Sequence, residues 1–207
     1  SRDGRYLRFG VREFGMFAIG NGIAAYGLNL VPFTSTFLNF LTYGYGAVRL
    51  GALSHLRQIY IMTHDSVLLG EDGPTHQPVE VIPSVRALPN ALLLRPADGN
   101  EINECWKIML NRVDGPSVIC LSRQTVNTNL VSKYTKVKSA DGVKCGAYVL
   151  SEEEKDADVI LLATGSEVEL ALEAAQILDS LNVRVVSAVC LELFEQQDMK
   201  YKQSVIK

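Results

Sequence analysis

Two histidines and three carboxylates lie close together in one segment of the sequence, HDSVLLGEDGPTH. The histidines are His64 and His76, and the carboxylates are Asp65, Glu71 and Asp72. Imidazoles transfer protons near neutral pH, and carboxylates accept hydrogen bonds from substrate hydroxyls. The segment is long, polar and broken by glycines and a proline, and such loops in compact domains are more often functional than idle. It is therefore the first candidate site, with a solvated surface loop as the alternative.

The same loop permits a second interpretation, a metal site. His64, Asp72 and His76 carry ligand types that zinc and iron accept. Their spacing does not fix a coordination geometry, and histidines in loops have many other uses. On the residues alone, substrate binding and metal binding both remain open.

Three aromatic residues recur at every third position, Phe37, Phe40 and Tyr43. On a helix this spacing places them on one face, where they either pack in the core or form a wall for a planar ring. Glu13 stands between Arg12 and an apolar helix. Its carboxylate either favours the helix dipole or, if buried, needs a partner such as a basic heterocycle.

The elements that must position these side chains alternate between strand and helix. Strands are predicted at 30–36, 58–64, 91–95 and 117–122, and helices at 13–26, 37–53, 82–88 and 99–112. Asp98 is predicted to cap the last helix, with Glu101 placed for a capping box. This order predicts an α/β fold with a parallel, doubly wound sheet, whose sites lie at the carboxyl ends of the strands. His64, Arg95 and Arg123 stand at or just beyond such ends.

A second α/β unit is predicted after a polar segment of weak periodicity. The first domain is placed at 1–125, a linker at 126–145 and the second domain at 146–207. Within the second domain, TGSE is a turn that leads into a helix and could hold an anion at the helix N-terminus. It lacks the lysine and the glycine spacing of a P-loop, so Ser166 is predicted to cap the helix instead, with Glu167 near its positive end.

Composition argues against several classes of partner. The 207 residues carry a net charge of −3 without a basic run, which predicts no nucleic-acid partner, and no apolar stretch is long enough to span a bilayer. The cysteines contain no C-x-x-C pair, so they predict neither a metal site nor a disulfide framework. The four cysteines are Cys105, Cys120, Cys145 and Cys190. As reduced thiols they predict a cytoplasmic location, with a reducing organelle as the alternative.

Several segments together resemble one family. THDSVLLGEDGPTHQP, TFLNFLTYGYGAVRLGALS, RFGVREFGM, RPADGNE and LSRQ resemble transketolase motifs and occur in transketolase order. DVILLATGSEVELALEAA resembles the start of the transketolase C-terminal domain. The resemblance covers nearly the whole chain. It implies the thiamine diphosphate-binding fold, with residues 1–125 as a pyrimidine-binding domain that lacks its first strand and helix, and 146–207 as a truncated C-terminal domain.

The resemblance also implies roles for the candidate cofactor residues. Glu13 would hydrogen-bond the aminopyrimidine ring of thiamine diphosphate and favour its imino tautomer, which makes it a catalytic as well as a cofactor-binding residue. Phe37, Phe40 and Tyr43 would surround that ring. His76 would be a second catalytic residue beside the cofactor and the substrate. The divalent cation, Mg²⁺ or Ca²⁺, is expected to have its ligands in a diphosphate-binding domain, so no metal ligand is expected here.

For the substrate, the resemblance implies contacts from His64, Asp72, His76 and Arg123. His64 and Arg123 would bind the sugar phosphate, where a guanidinium suits a phosphate geometrically. Asp72 would recognise a hydroxyl next to the reacting carbon. Phe14 departs from the family pattern, because many microbial and plant members have histidine there, and the departure puts packing against the cofactor or a partner subunit in doubt.

The implied activity is reversible transfer of a two-carbon ketol unit from a ketose phosphate to an aldose phosphate, as in the pentose phosphate pathway. The expected partners are sugar phosphates and either a second copy or a complementary chain that carries the diphosphate-binding domain. As a fragment or partial subunit, the chain is expected to be inactive alone. The alternatives are dihydroxyacetone synthase, against which Asp72 argues, and a non-catalytic transketolase-like binding or regulatory protein.

Overall fold

The computed structural model of the protein describes residues 5–128, 130, 139–151 and 156–207. The strands are β1 (Phe33–Phe37), β2 (Ile59–Thr63), β3 (Leu92–Leu94), β4 (Ser117–Leu121), β5 (Ala147–Val149), β6 (Val159–Ala163) and β7 (Val183–Ala188). The α-helices are α1 (Glu13–Tyr26), α2 (Leu41–Leu53), α3 (Val81–Arg86), α4 (Gly99–Asn111), α5 (Glu167–Ile177), α6 (Leu191–Glu195) and α7 (Met199–Ile206). Short 3₁₀ helices cover Leu38–Phe40, Val67–Leu69 and Asp141–Cys145.

The first sheet is parallel throughout, with strand order β1-β2-β4-β3. Its central strands are nearly continuous runs of apolar residues, because helices cover both faces of a parallel sheet. The register aligns Phe37 with Thr63 and Thr63 with Leu121. The chain therefore leaves β1, β2 and β4 at one edge, and the predicted parallel α/β fold is confirmed.

The second sheet has the order β5-β7-β6, with β6 parallel and β5 antiparallel to β7. The predicted second α/β unit is present, whereas β5 was not predicted, since three residues carry too little periodicity to detect. The two sheets share one hydrophobic core, in which Met109 of α4 lies with Val168 of α5 and Val185 of β7. The two units therefore stabilise each other by burying a common apolar surface.

The predicted linker, 126–145, lies partly outside the described residues. Of its described part, Leu130 is buried in the shared core and Val143 is buried within the last 3₁₀ helix. Among the helices of the described ranges, none combines the length and the apolar character that a membrane crossing requires.

The start of α4 joins the two units through one buried carboxylate. Asp98 caps the helix as predicted, since its side chain accepts a hydrogen bond from the Glu101 N–H at 2.9 Å. The Glu101 carboxylate reaches back past the cap, since its Oε2 accepts from the Ala97 N–H at 2.6 Å, one residue before Asp98. Glu101 is fully buried, and its Oε1 accepts from Tyr148 at 2.9 Å and Ser187 at 2.7 Å. Burial raises the pKa of Glu101, and these three hydrogen bonds oppose the rise.

A glycine allows α1 and α2 to pack closely beside the candidate site. A Cβ at Gly44 would stand 2.2 Å from the ring of Phe17, which is fully buried, and 3.2 Å from the carbonyl oxygen of Glu13. The backbone of α2 therefore contacts α1 directly at this level. No larger residue fits unless the two helices separate.

Gly44→Ala is expected to lower the free energy of unfolding by about 1–3 kcal/mol, the usual cost of overpacking a well-packed core. Gly46→Ala on the same helix is the matched control, because its Cβ would make an ordinary 3.6 Å contact with Phe14. The control should be neutral or stabilising by up to about 1 kcal/mol, since alanine favours helices. Urea unfolding of both variants checks this, and equal stabilities would contradict the close packing at Gly44.

Candidate active site

Five rings form one cluster at the carboxyl ends of β1 and β2, the aromatic–histidine cluster. Phe37 stacks on His64 with ring centroids 3.6 Å apart, and Phe40 stacks on both Phe37 at 6.0 Å and Tyr43 at 5.8 Å. His76 meets the rings of Phe40 and Phe37 edge-on, at 5.0 and 6.3 Å. The structure thus brings together five of the predicted site residues from two separate sequence segments.

The three aromatic residues do not share one α-helix, so that prediction was wrong. Phe37 ends β1, Phe40 ends a 3₁₀ helix and Tyr43 lies in the first turn of α2. A 3₁₀ helix has three residues per turn, which brings residues three apart into register. Phe37 and Phe40 stack across this turn. Tyr43 is 68% exposed, so the outer end of the stack faces open space.

Both histidines of the cluster are held through one ring nitrogen by a neighbouring threonine. Nδ1 of His64 lies 3.0 Å from Thr63 Oγ1, and Nδ1 of His76 lies 2.8 Å from Thr75 Oγ1. Asn39 donates to the Thr75 carbonyl at 2.7 Å, which fastens the loop to the entry of α2. Across the described residues, neither Nε2 has a hydrogen-bond partner. Each imidazole therefore keeps one nitrogen available to a ligand.

His64 adopts a left-handed backbone conformation, with φ +59°. That region is uncommon for residues other than glycine, and a histidine there persists only where its surroundings hold it. The next residue, Asp65, is 3% exposed and accepts a hydrogen bond from Arg95 Nε at 2.7 Å. Burial raises the pKa of the Asp65 carboxyl, and the Arg95 guanidinium opposes that rise. The buried ion pair fixes the chain directly after His64.

Arg95 continues from Asp65 into the second unit. Its Nη1 donates to the Thr164 carbonyl at 2.6 Å and to the carboxylate of Glu167, the first residue of α5. Burial alone would raise the pKa of Glu167, but the hydrogen bond and ion pair with Arg95 hold that pKa below its ordinary value. Ser166 occupies the N-cap position without a capping hydrogen bond, and its hydroxyl donates to Glu167 at 3.2 Å instead. The predicted Ser166 cap was therefore wrong, since the Glu167 carboxylate beside it accepts from the hydroxyl.

The lowered pKa of Glu167 predicts a pH-dependent stability. A depressed carboxyl pKa contributes stability above the pKa of the unfolded chain, about 4.3, and loses it as the pH falls through the folded value. Glu167→Gln should therefore be less stable than wild type at pH 7, by less than about 1 kcal/mol because the carboxylate is partly exposed. The difference should disappear toward pH 3.

Thermal unfolding of wild type and Glu167→Gln between pH 7 and pH 3 measures this effect. Glu169→Gln is the control, because Glu169 shares the first turn of α5 but has no contact with Arg95. A difference that stayed constant from pH 7 to pH 3 would show that the ion pair does not set the Glu167 pKa.

Glu13, predicted as the group that meets the cofactor ring, is the first residue of α1 and is partly buried. Within the described part of the chain its carboxylate has no hydrogen bond or ion pair. Its backbone oxygen lies against Gly44, which directly follows Tyr43 of the aromatic–histidine cluster. Phe14, the departure from the family pattern, is 55% exposed and lies over Gly46.

The two remaining predicted residues are outside the aromatic–histidine cluster. Arg123 follows β4, and its Nη2 lies 4.0 Å from the Glu71 carboxylate. A Cβ at Gly70 would also stand 4.0 Å from that guanidinium, so the loop passes close to Arg123. Asp72 is exposed, and in the ranges described its carboxylate forms no ion pair. Among the described residues, the structure brings Arg123 to the loop and gives the Asp72 carboxylate no ion pair.

The metal alternative has no support in the arrangement of these side chains. Across the described residues, no three histidine, cysteine, aspartate or glutamate side chains are grouped so that they could hold an ion. The two histidines of the loop face the aromatic rings instead. All four cysteines are free thiols, and Cys105, Cys120 and Cys190 are buried.

Family models match nearly all of this chain. Residues 1–128 match the model described as "Transketolase, pyrimidine binding domain", which is more than half of the chain. The chain belongs to the transketolase family. Residues 146–207 match the model described as "Transketolase-like TK C-terminal domain". The resemblance of the sequence motifs is thereby confirmed, along with the order of the two units.

This chain is also similar to individual transketolases along nearly its whole length. A chloroplastic transketolase of Arabidopsis thaliana is 50% identical over 206 residues, which are 98% of this chain and 27% of that protein. The solved transketolase of Leishmania mexicana is 48% identical with a TM-score of 0.92, and the match covers all of this chain and 30% of that one. The chain therefore spans less than a third of the length of these relatives.

A third relative has a different chain organisation. It is a solved structure described as a split gene transketolase, an inactive beta4 tetramer. It is 27% identical with a TM-score of 0.72, and the match covers 89% of this chain and 57% of that chain.

Two buried polar networks were not predicted from the sequence. One is the Glu101 carboxylate with its hydroxyl donors, and the other is the contact of Arg95 with Asp65 and Glu167. The position of Arg95 at a strand end was visible, but its partners lie 30 and 72 residues away. Hydrophobic periodicity carries no signal for such long-range polar pairs. The sequence could therefore identify the residues but not predict which of them are in contact.

Proposed function

We propose that this chain supplies the pyrimidine and sugar-phosphate groups of a transketolase site, for reversible transfer of a two-carbon ketol unit from a ketose phosphate to an aldose phosphate. The observation that carries the proposal is the aromatic–histidine cluster, an open stack of rings with two available imidazole nitrogens. A stack with one exposed end and polar groups at its side suits a flat heterocycle with a polar substrate beside it.

The residues present fit the aminopyrimidine half of thiamine diphosphate. Phe37, Phe40 and Tyr43 would offer their rings to the pyrimidine, and the Glu13 carboxylate has no competing partner in the described residues. When bound, the cofactor supplies a nucleophilic carbon and an electron sink for the ketol unit. Glu13 would hold a proton at a pyrimidine ring nitrogen. The wall of rings would exclude water from that hydrogen bond and thereby strengthen it.

The loop residues would bind and orient the sugar phosphate. His76 would direct Nε2 toward the reacting carbonyl and its hydroxyls, because Thr75 already holds Nδ1. His64 and Arg123 would bind the phosphate, through one imidazole nitrogen and one partly exposed guanidinium. Asp72 would accept from the hydroxyl next to the reacting carbon, a contact for which it is exposed and unpaired in the described ranges.

We assign the divalent cation, Mg²⁺ or Ca²⁺, and the diphosphate contacts to a domain carried by another stretch of polypeptide or by a partner chain. The split gene relative supports a two-chain arrangement, since its structure is described as an inactive beta4 tetramer. A second copy of this chain is the other partner that we propose, because α1 and α2 expose Phe14 and Leu53 to the extent of 55% and 66%. The free thiols suit the cytosol or a reducing organelle.

Ketol transfer by the natural-length protein that contains this chain tests the proposal, with thiamine diphosphate and Mg²⁺ present. We expect transfer from a ketose phosphate to ribose phosphate to exceed transfer to formaldehyde, because Asp72 suits a hydroxylated sugar. Preference for formaldehyde would support the dihydroxyacetone synthase alternative. Absence of both transfer and cofactor binding would support the non-catalytic alternative. For this chain by itself, activity that appears only on mixing with a diphosphate-domain chain would support the two-chain arrangement.

A further inference from the structure

We infer that Arg95 is a positioning residue for His64, through which the second α/β unit sets the orientation of a histidine in the candidate active site. The inference rests on the proposed function only in treating His64 as a substrate-binding group. Its structural content is a series of contacts from α5 through Arg95 to Asp65, the residue that directly follows His64 in the chain.

The first step is that the second unit holds Arg95 by both backbone and side chain. The Arg95 N–H donates to the Val189 carbonyl at 2.8 Å, and its own carbonyl accepts from the Gly165 N–H at 3.0 Å. Its guanidinium donates to Thr164 and Glu167. A Cβ at Gly165 would stand 2.8 Å from the Arg95 side chain, so the turn before α5 lies directly on it. Arg95 directly follows β3 of the first sheet, and most of its hydrogen bonds are made to the second unit.

The second step is that Arg95 fixes the residue next to His64. Asp65 and Arg95 are 3% and 5% exposed, and water is therefore not available to replace their ion pair. A buried charge that loses its partner is strongly destabilised, so Asp65 is confined to the position where Arg95 meets it. Arg95 meets Oδ2 of Asp65, and Oδ1 has no hydrogen-bond partner in the described residues. Arg95 is thus the ion-pair partner that Asp65 has among the described residues.

The third step is that His64 has little freedom once Asp65 is fixed. Its left-handed backbone, φ +59°, is uncommon for residues other than glycine and persists where the surrounding structure holds it. Thr63 on one side ends β2 and pairs with Phe37 of β1 and Leu121 of β4, and Asp65 is held on the other. This backbone directs the imidazole onto the ring of Phe37 at 3.6 Å. Loosening Arg95 should therefore change the His64–Phe37 stacking before it changes the fold.

The test is an NMR experiment on the chain itself, which needs neither cofactor nor substrate. The sequence has three histidines, so a sample labelled only in the imidazole rings gives three resolvable signals. The ring current of Phe37 shifts the His64 signal upfield. Glu167→Gln removes the charged partner from the second unit while Asp65 and His64 stay unchanged. We expect the His64 signal to move downfield, toward the shift of an unstacked histidine, in a variant that remains folded.

Two controls separate positioning from general loss of stability. His55 lies at the other end of the sheet, beside Asn90 and Asp114, and its signal should stay in place. Glu169→Gln removes a neighbouring charge of α5 without touching Arg95 and should leave all three signals unchanged. Arg95→Lys should move the His64 signal as well. The double variant Arg95→Lys/Glu167→Gln should shift the His64 signal little further, since both substitutions alter the same contact between Arg95 and Glu167.

An unmoved His64 signal in folded Glu167→Gln and Arg95→Lys overturns the inference. A second readout, in the natural-length protein, distinguishes failure of this inference from failure of the proposed function. If His64 binds the sugar phosphate, its misplacement should raise KM for the ketose phosphate and leave kcat nearly unchanged. A shifted His64 signal with an unchanged KM would uphold the positioning role of Arg95 and reject the substrate role of His64.

Discussion

Glu101→Ala is expected to lower the free energy of unfolding of this chain by about 2–4 kcal/mol. The carboxylate is fully buried and accepts three hydrogen bonds, from Ala97 N–H, Tyr148 and Ser187. Its removal leaves buried donors without an acceptor, at about 1–3 kcal/mol for each that finds no new partner. It also opens a cavity between the units. Relief from burying a charge offsets part of this cost, which keeps the estimate below the sum of the three contacts.

Glu101→Gln separates hydrogen bonding from charge at the same position. The amide oxygen can accept from the Ala97 N–H, and the amide nitrogen can donate to the two hydroxyl oxygens, which accept as well as donate. This variant should stay within about 1 kcal/mol of wild type, since it no longer buries a charge. Urea unfolding measures both variants. Glu104→Ala is the matched control on α4, where only a surface pair with Lys107 is lost, and it should change stability by less than about 0.5 kcal/mol.

An effect of Glu101→Ala no larger than that of Glu104→Ala would show that the buried network does not join the units. Tyr148 and Ser187 both belong to the second sheet. The same urea titration therefore also tests whether the two units unfold together. Loss of the network should let the second unit unfold at lower urea concentration than the first. A single coincident transition at the wild-type midpoint would contradict the role assigned to Glu101.

The elements of the first sheet could be predicted because local signals determine them. Strand β2 is a run of β-branched and aromatic residues, and α1 begins and ends at the predicted residues. Asp98 was identified as a cap for the same reason, since its partner is three residues away. Strand β5 was missed because Ala147–Val149 is held by pairing with β7 rather than by its own pattern. A strand or helix can be predicted where its own residues favour it. A strand that forms only by pairing with a distant strand leaves no such local signal.

The candidate site was predictable as a set of residues but not as an arrangement. The spacing of Phe37, Phe40 and Tyr43 was visible, yet the sequence could not show that a strand end and a 3₁₀ turn produce it. The stacking of His64 on Phe37 follows from strand register and from an unusual φ, and neither of these can be read from the sequence. The family resemblance supplied roles for single residues. It did not supply Arg95, whose importance lies in partners from both units.

Glu13→Gln should lower kcat for ketol transfer by at least about 100-fold in the natural-length protein, if the proposed function holds. Positioned proton transfer by a side chain typically contributes between about 10² and 10⁴ in rate, and the neutral amide cannot hold the proton at the pyrimidine ring. Partly buried and without a competing partner in the described residues, Glu13 is free for that hydrogen bond. Calorimetry should show weakened binding of thiamine diphosphate in the presence of Mg²⁺.

The control for Glu13 must share its place in a helix, because any first-turn glutamate also interacts with the helix dipole. Glu169 lies in the first turn of α5, far from the aromatic–histidine cluster in sequence. Glu13→Gln and Glu169→Gln should therefore cost similar stability, about 0.3–1 kcal/mol each, while only the first affects turnover. A kcat for Glu13→Gln within tenfold of wild type would assign the carboxylate to the helix dipole alone. The aromatic–histidine cluster would then need another group to activate the ring that it binds.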